Sequence, residues 1–142
     1  MFGELLAQVR KSEPLIHCIT NYVTVNDCAN VLLAAGASPI MADDADEAAE
    51  ITALCGGLCV NIGTLNERSI EGMFAAGARA SELGHPIVLD PVGAGASKLR
   101  TQTAARLLEE VRFTVVRGNA SEIKTLAAGT GAARGVDASQ AD

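Results

Sequence analysis

Two stretches of the chain carry residue types suited to holding an anion, "LDPVGAGAS" (89–97) and "VVRGNASEI" (115–123). Asp90 precedes a proline and a loop with glycines at 93 and 95. A carboxylate beside such a loop suits Mg²⁺ and phosphate, because backbone N–H groups can face the anion. An aspartate that only hydrogen-bonds a turn explains the same residue equally well. The Gly93-x-Gly95 pair lacks the third glycine of a dinucleotide fingerprint, and Lys98-Leu99 is not the Lys-Ser/Thr of a P-loop. Arg117 follows two β-branched residues, and a charge ending a buried strand needs a partner. That partner is either a phosphate or a neighbouring acid. Asn119 and Glu122 have the spacing of a helix capping box, which accounts for Glu122 better than a metal contact does.

These residues need elements to position them, and the pattern along the chain supplies a candidate set. "LIHCI" (15–19), "ASPIM" (37–41), "LCVNIG" (58–63), "PIVLD" (86–90) and "FTVVR" (113–117) read as strands. Between them lie helical stripes: Val25, Cys28, Ala29, Leu32 and Ala35, then an acid-led helix after Asp43. Asp43, Asp44, Asp46 and Glu47 suit the first turn of that helix, where its dipole favours acids, better than they suit a metal. Asn66 caps a third helix with Ile70, Met73, Phe74 and Gly77 inward. A fourth, Thr101 to Val111, faces Ala104, Ala105, Leu108 and Val111 inward, and a fifth, Asn119 to Ala128, faces Ile123, Leu126 and Ala127 inward. Strand and helix alternate about five times, so residues 1–142 read as one α/β domain. It is a three-layer αβα arrangement with a mostly parallel open sheet. The tail "GTGAARGVDASQAD" is small and polar and brings no closing strand.

In such sheets ligands bind outside the carboxyl ends of the strands. Those ends are Thr20–Asn21, Met41, Gly63–Thr64, Asp90 and Arg117. The set holds a carboxylate, an arginine, short polar side chains, an adaptable thioether and a glycine that admits a ligand to the backbone. Met41 there can line an apolar pocket, although a methionine is more often plain core. No G-x-S-x-G or Ser/His/Asp placement points to a hydrolase, and His85 stands at the opposite end of its strand. The residues alone therefore indicate a domain that handles a nucleotide or phosphate.

Composition excludes other classes. With 49% hydrophobic residues, a formal charge of −6 and singly scattered lysines and arginines, the chain has no basic footprint for nucleic acid. No apolar run approaches the ~20 residues of a membrane span, and "MFGELLAQVRKSE" lacks a signal-peptide core. A cytoplasmic protein is expected. Cys18, Cys28, Cys55 and Cys59 are expected as buried free thiols, since C-x-x-x-C is not zinc-knuckle spacing. His17 and Cys18 should also point to opposite faces of their strand.

The blocks "PLIHCITNYVTVNDCANVLLAAGASPIMADD", "NIGTLN", "PIVLDPVGAGASKLRT" and "VRGNASEI" closely resemble the hydroxyethylthiazole kinase family of the ribokinase-like superfamily. The likeness runs from Pro14 to about Leu126. It implies ATP- and Mg²⁺-dependent phosphorylation of the alcohol of 4-methyl-5-(2-hydroxyethyl)thiazole, in a trimer with the thiazole near a subunit interface. On that resemblance Met41 matches a substrate-contacting methionine and Arg117 an ATP-binding arginine. Asn21, Val23 and Gly63 fall where the family lines its thiazole pocket, and Asp90 and Glu122 match acids associated with Mg²⁺ and phosphates. The family's Gly-rich anion hole and catalytic residue lie in a second half. "GAGA" at 93–96 is a different loop, with no acid or cysteine after its second glycine. The resemblance thus implies a fold incomplete at the C-terminus, with no catalytic residue among these 142. The alternative is a non-catalytic module that binds a thiazole or an anion without reacting.

Overall fold

A computed structural model describes residues 1–129; the rest of the small polar tail, 130–142, lies outside them. The described residues form α1 (Phe2–Ser12), β1 (Leu15–Ile19), α2 (Val25–Ala35), β2 (Ser38–Met41), α3 (Ala45–Leu54) and β3 (Gly57–Asn61). There follow α4 (Glu67–Leu83), β4 (Ile87–Asp90), α5 (Lys98–Glu110), β5 (Val115–Val116) and α6 (Ala120–Ala127). All strand pairings are parallel, in the order β2-β1-β3-β4-β5.

Side-chain alternation divides the sheet into two unlike faces. Ile19, Leu58, Val60, Ile62, Ile87 and Leu89 point to one face and are buried under α3, α4 and α5. Each such aliphatic side chain contributes about 1.5–3 kcal/mol on burial, so this face holds the core. His17 shares it, and Cys18 faces away, as strand geometry predicts. On the opposite face α2 covers the β1–β2 side, and a groove of ≈ 320 Å³ lies open between α2 and β3–β4.

Close backbone packing makes two glycines necessary. A Cβ on Gly72 of α4 would stand 2.2 Å from the carbonyl oxygen of Asp43. One on Gly77 would stand 2.6 Å from a methyl group of Val111. Asp44 caps α3 by accepting from the Asp46 N–H, and its other oxygen pairs with Arg68 of α4. Those contacts hold the Asp44 carboxyl below its ordinary value, the Asp46 N–H being the largest cause. The acidic run is therefore a helix start, as its position indicates.

The structure departs from the sequence reading in several places. The N-terminal segment forms helix α1, which the pattern did not single out. Helix α5 begins at Lys98 with Ser97 as its cap, ahead of the Thr101 start. Of the adjacent leucines on α5, Leu107 is buried and Leu108 lies at the surface. On α4, Met73 and Gly77 are buried, while Ile70 and Phe74 flank them half-buried. On α6, Leu126 packs on the core, but Ile123 and Ala127 are exposed and Glu122 is buried. β5 has two residues rather than five, although Thr114 N–H donates to Ile87 O and Arg117 N–H to Leu89 O on either side of it.

Candidate functional site

The carboxyl ends of β1, β3, β4 and β5 meet along one edge of the sheet. Register brings Asn61 beside Asp90, and Arg117 follows Val116, the partner of Leu89. Arg117 Nη2 donates to Asp90 Oδ2 at 2.7 Å. The sequence left Arg117 a choice between a phosphate and a neighbouring acid, and the neighbouring acid is Asp90 itself. The arginine matched to ATP and the acid matched to Mg²⁺ thus pair with each other. Asp90 Oδ1 accepts no hydrogen bond from the described residues, so a carboxylate oxygen remains to meet a cation. The side chain is 18% exposed, enough for a hydrated ion to reach it. That oxygen is what Asp90 offers a hard cation such as Mg²⁺, which takes oxygen ligands and retains water; the described residues hold no cluster of three or more ligating side chains.

The loop 91–96 beside Asp90 turns at Gly93 (φ 75°) and Gly95 (φ 94°), left-handed conformations that favour glycine. Glu122 holds this loop from α6. Its Oε1 accepts from Gly93 N–H at 3.0 Å and its Oε2 from Asn119 N–H at 2.8 Å. Asn119 Oδ1 in turn accepts from Glu122 N–H, completing the capping box. Both carboxylate oxygens thus serve backbone donors, which explains the burial of Glu122 without any metal.

Across the edge, Asn21 is buried and almost fully used. Its Oδ1 accepts from Val23 N–H, Thr24 N–H and the Thr24 hydroxyl, each at 3.1 Å. Its Nδ2 donates to Asn61 Oδ1 at 3.0 Å, an oxygen that also accepts from Gly63 N–H at 2.8 Å. One amide hydrogen of Asn21 is left for a ligand. Gly63 is crowded by protein: a Cβ there would lie 2.8 Å from Asn21 Cβ and 2.9 Å from Asn61 Oδ1. What lies against this glycine's α-carbon is Asn21 and Asn61. Val23 is 88% exposed on the 20–24 turn, and Met41 is 36% exposed at the end of β2. Asn21 and Gly63 form one cluster, as do Asp90 and Arg117, whereas the side chains of Met41 and Val23 are exposed and take no part in either hydrogen-bond network.

Sequence reasoning missed Arg100, on the first turn of α5. Its guanidinium donates to Val92 O at 2.9 Å and to Gly63 O at 2.7 Å, joining two loops of the edge. An arginine near a helix start, where the dipole disfavours cations, was the available signal.

The residues lining the open groove include Cys18, Cys28, Cys59, Asp90 and Arg117. None of the four cysteines forms a disulfide, and Cys28 and Cys59 are only half-buried, which corrects the expectation of four buried thiols. Cys18 and Cys59 are register partners on β1 and β3. The neighbouring Cys18 thiol brings Cys59 below its ordinary value, helped by Arg117 and opposed by burial and by Asp90. The closeness of Cys59, with burial, pushes Cys18 up.

With this geometry in view, the similarities to known proteins are specific. Residues 6–142 match the hydroxyethylthiazole kinase family. The chain is 67% identical over 138 residues to a hydroxyethylthiazole kinase of Clostridium acetobutylicum, covering 97% of this chain and 50% of that protein. It is 62% identical to one of Desulfovibrio desulfuricans, covering 97% of this chain and 48% of that protein. A solved hydroxyethylthiazole kinase structure from Pyrococcus horikoshii superposes with a TM-score of 0.85 at 44% identity, covering 96% of this chain and 52% of the other. The chain therefore spans about half the length of the curated relatives it matches. No helix of the described residues is long and apolar enough to cross a membrane. On these matches the chain belongs to the hydroxyethylthiazole kinase family.

Proposed function

We propose that this chain is the N-terminal half of a cytoplasmic, homotrimeric kinase. Its reaction is transfer of the γ-phosphoryl group of ATP, with Mg²⁺, to the hydroxyl of 4-methyl-5-(2-hydroxyethyl)thiazole. The observation that carries the reading is the Asp90–Arg117 pair beside the glycine-turned loop, on the ligand-binding edge of a parallel sheet. Phosphoryl transfer asks a protein mainly for in-line positioning and for neutralisation of phosphate charge. Arg117 supplies a planar donor fork for phosphate oxygens once it turns from Asp90. Asp90 would then hold Mg²⁺, whose charge would help neutralise that of the phosphates. Asn21, with its remaining amide hydrogen, and Gly63 stand on the alcohol side, and Met41 and Val23 offer apolar contact to the thiazole. Glu122 keeps the loop in place; any contact with the metal is through its remaining lone pairs.

The remaining half of the relatives' length is the proposed source of the group that deprotonates the alcohol. The test is a chimera in which this chain is followed by the part of the Clostridium acetobutylicum relative that it does not match. Thiazole-dependent ADP release by the folded chimera is expected. A folded chimera that binds neither MgATP nor the thiazole alcohol would overturn the assignment. The 142 residues alone are expected to give no thiazole-dependent ADP release in the same coupled assay. The alternative, a non-reacting binding module, is favoured by the half-length match alone. It would be supported by calorimetry showing thiazole binding to a chimera that never releases ADP.

A further inference from the structure

Arg100 stands apart from every residue assigned a role above, yet it is the only described side chain that bonds the loops of both proposed subsites. Its Nη2 donates to Gly63 O and its Nη1 to Val92 O. Gly63 belongs to the turn that Asn21 and Asn61 build on the alcohol side. Val92 opens the loop that follows Asp90 and that Glu122 holds through Gly93. The hydrogen bonds therefore run unbroken from Asn21 through Asn61, Gly63, Arg100 and the Val92–Gly93 segment to Glu122 and Asn119. Gly93 is part of the same construction. A Cβ there would meet Arg100 Nη1 at 2.8 Å and Cδ at 3.0 Å, so the Arg100 side chain packs against the Gly93 backbone.

A half-buried arginine at the positive end of α5 is costly unless something uses its charge. No carboxylate pairs with it among the described residues; two carbonyls each take one of its donors instead. Its fork fixes both directions at once, which a lysine's single ammonium does less well.

We propose that Arg100 is a positioning residue for phosphoryl transfer, setting the distance and angle between the alcohol-side turn at Gly63 and the phosphate-side loop at Val92–Gly93. The inference rests on the kinase reading of the same edge. It concerns alignment rather than affinity, because the two guanidinium hydrogen bonds that Arg100 makes both go to protein carbonyls and each loop keeps its other anchors.

The test compares Arg100→Met and Arg100→Lys in the chimera described above. A misplacement on the order of 1 Å costs about 100-fold in rate. Arg100→Met is therefore expected to lower kcat about 10- to 100-fold, with KM for thiazole and for ATP each changing less than about threefold. Arg100→Lys, which reaches one carbonyl at a time, is expected to recover part of that loss. A kcat within threefold of the parent, or a rise confined to one KM, would overturn the proposal. Amide hydrogen exchange on the 142-residue chain gives a readout independent of activity. In Arg100→Lys, segments 62–65 and 91–96 should lose protection together while β1 and β3 keep theirs. Loosening of one segment alone, or of neither, would refute the strut. If the parent chimera is inactive the kinase reading fails by itself, and the exchange result still decides whether Arg100 ties the loops.

Discussion

Arg117 reaches Asp90 with a side chain that is 74% exposed, and that exposure decides what its loss should cost. An ion pair with one member in solvent is worth at most about 1 kcal/mol. Charged hydrogen bonds to a bound phosphate are worth more, about 1.5–3 kcal/mol each. Arg117→Gln should therefore shift the urea midpoint of this chain little. In the chimera it should weaken MgATP binding at least ~10-fold by calorimetry. The reverse pattern, lost stability with affinity intact, would make the pair a structural tie. Asn119 and Glu122 are the opposite case: their side chains are spent on backbone donors, and a capping box is what their spacing announced. Arg117 was recognisable as a charge in search of a partner, but only three-dimensional register could say that the partner is Asp90.

Elements position these residues through loops tighter than their composition reveals. Gly63 shows it: a glycine after a strand reads as an opening for a ligand, and two asparagine side chains stand where its own side chain would be. Gly63→Ala should cost about 1–3 kcal/mol, as overpacking does, measured as a lower urea midpoint. An unchanged midpoint would mean the 20–24 turn yields easily. The order of strands and helices was legible because apolar runs and stripes repeat cleanly, and α2 has the bounds its stripe gave. Faces were less legible where two apolar residues adjoin, as Leu107 and Leu108 do, since periodicity accepts either. β5 shrank because only Val115 and Val116 meet β4 in full register. Arg100 was invisible to motif reading because it acts on carbonyls, which every residue possesses.

At the scale of the whole molecule, the buried face carries a titrating group. His17 has no exposed surface; its Nε2 lies 2.6 Å from Ala42 O and its Nδ1 2.8 Å from Thr52 Oγ1. The carbonyl requires a proton on Nε2, so Nδ1 of the neutral ring accepts from the threonine. Burial lowers His17 below 6.5, opposed by the Ala42 carbonyl and the Glu47 charge. A lowered folded value means the unfolded chain takes up the proton first, so stability falls as pH drops below 6.5 towards the folded value. The slope reaches at most about 1.4 kcal/mol per pH unit. His17→Gln should be less stable at pH near 7.5, as measured by urea unfolding, yet show a flatter profile down to pH near 5. Equal slopes in the two proteins would place the acid sensitivity elsewhere. The strand order carries a different consequence, for synthesis. β2 joins one side of β1, β3 joins the other, and β4 and β5 each add to the edge just made. No strand has to be inserted between two already paired. The sheet can therefore assemble vectorially as the polypeptide leaves the ribosome, each βα unit finding a finished template waiting.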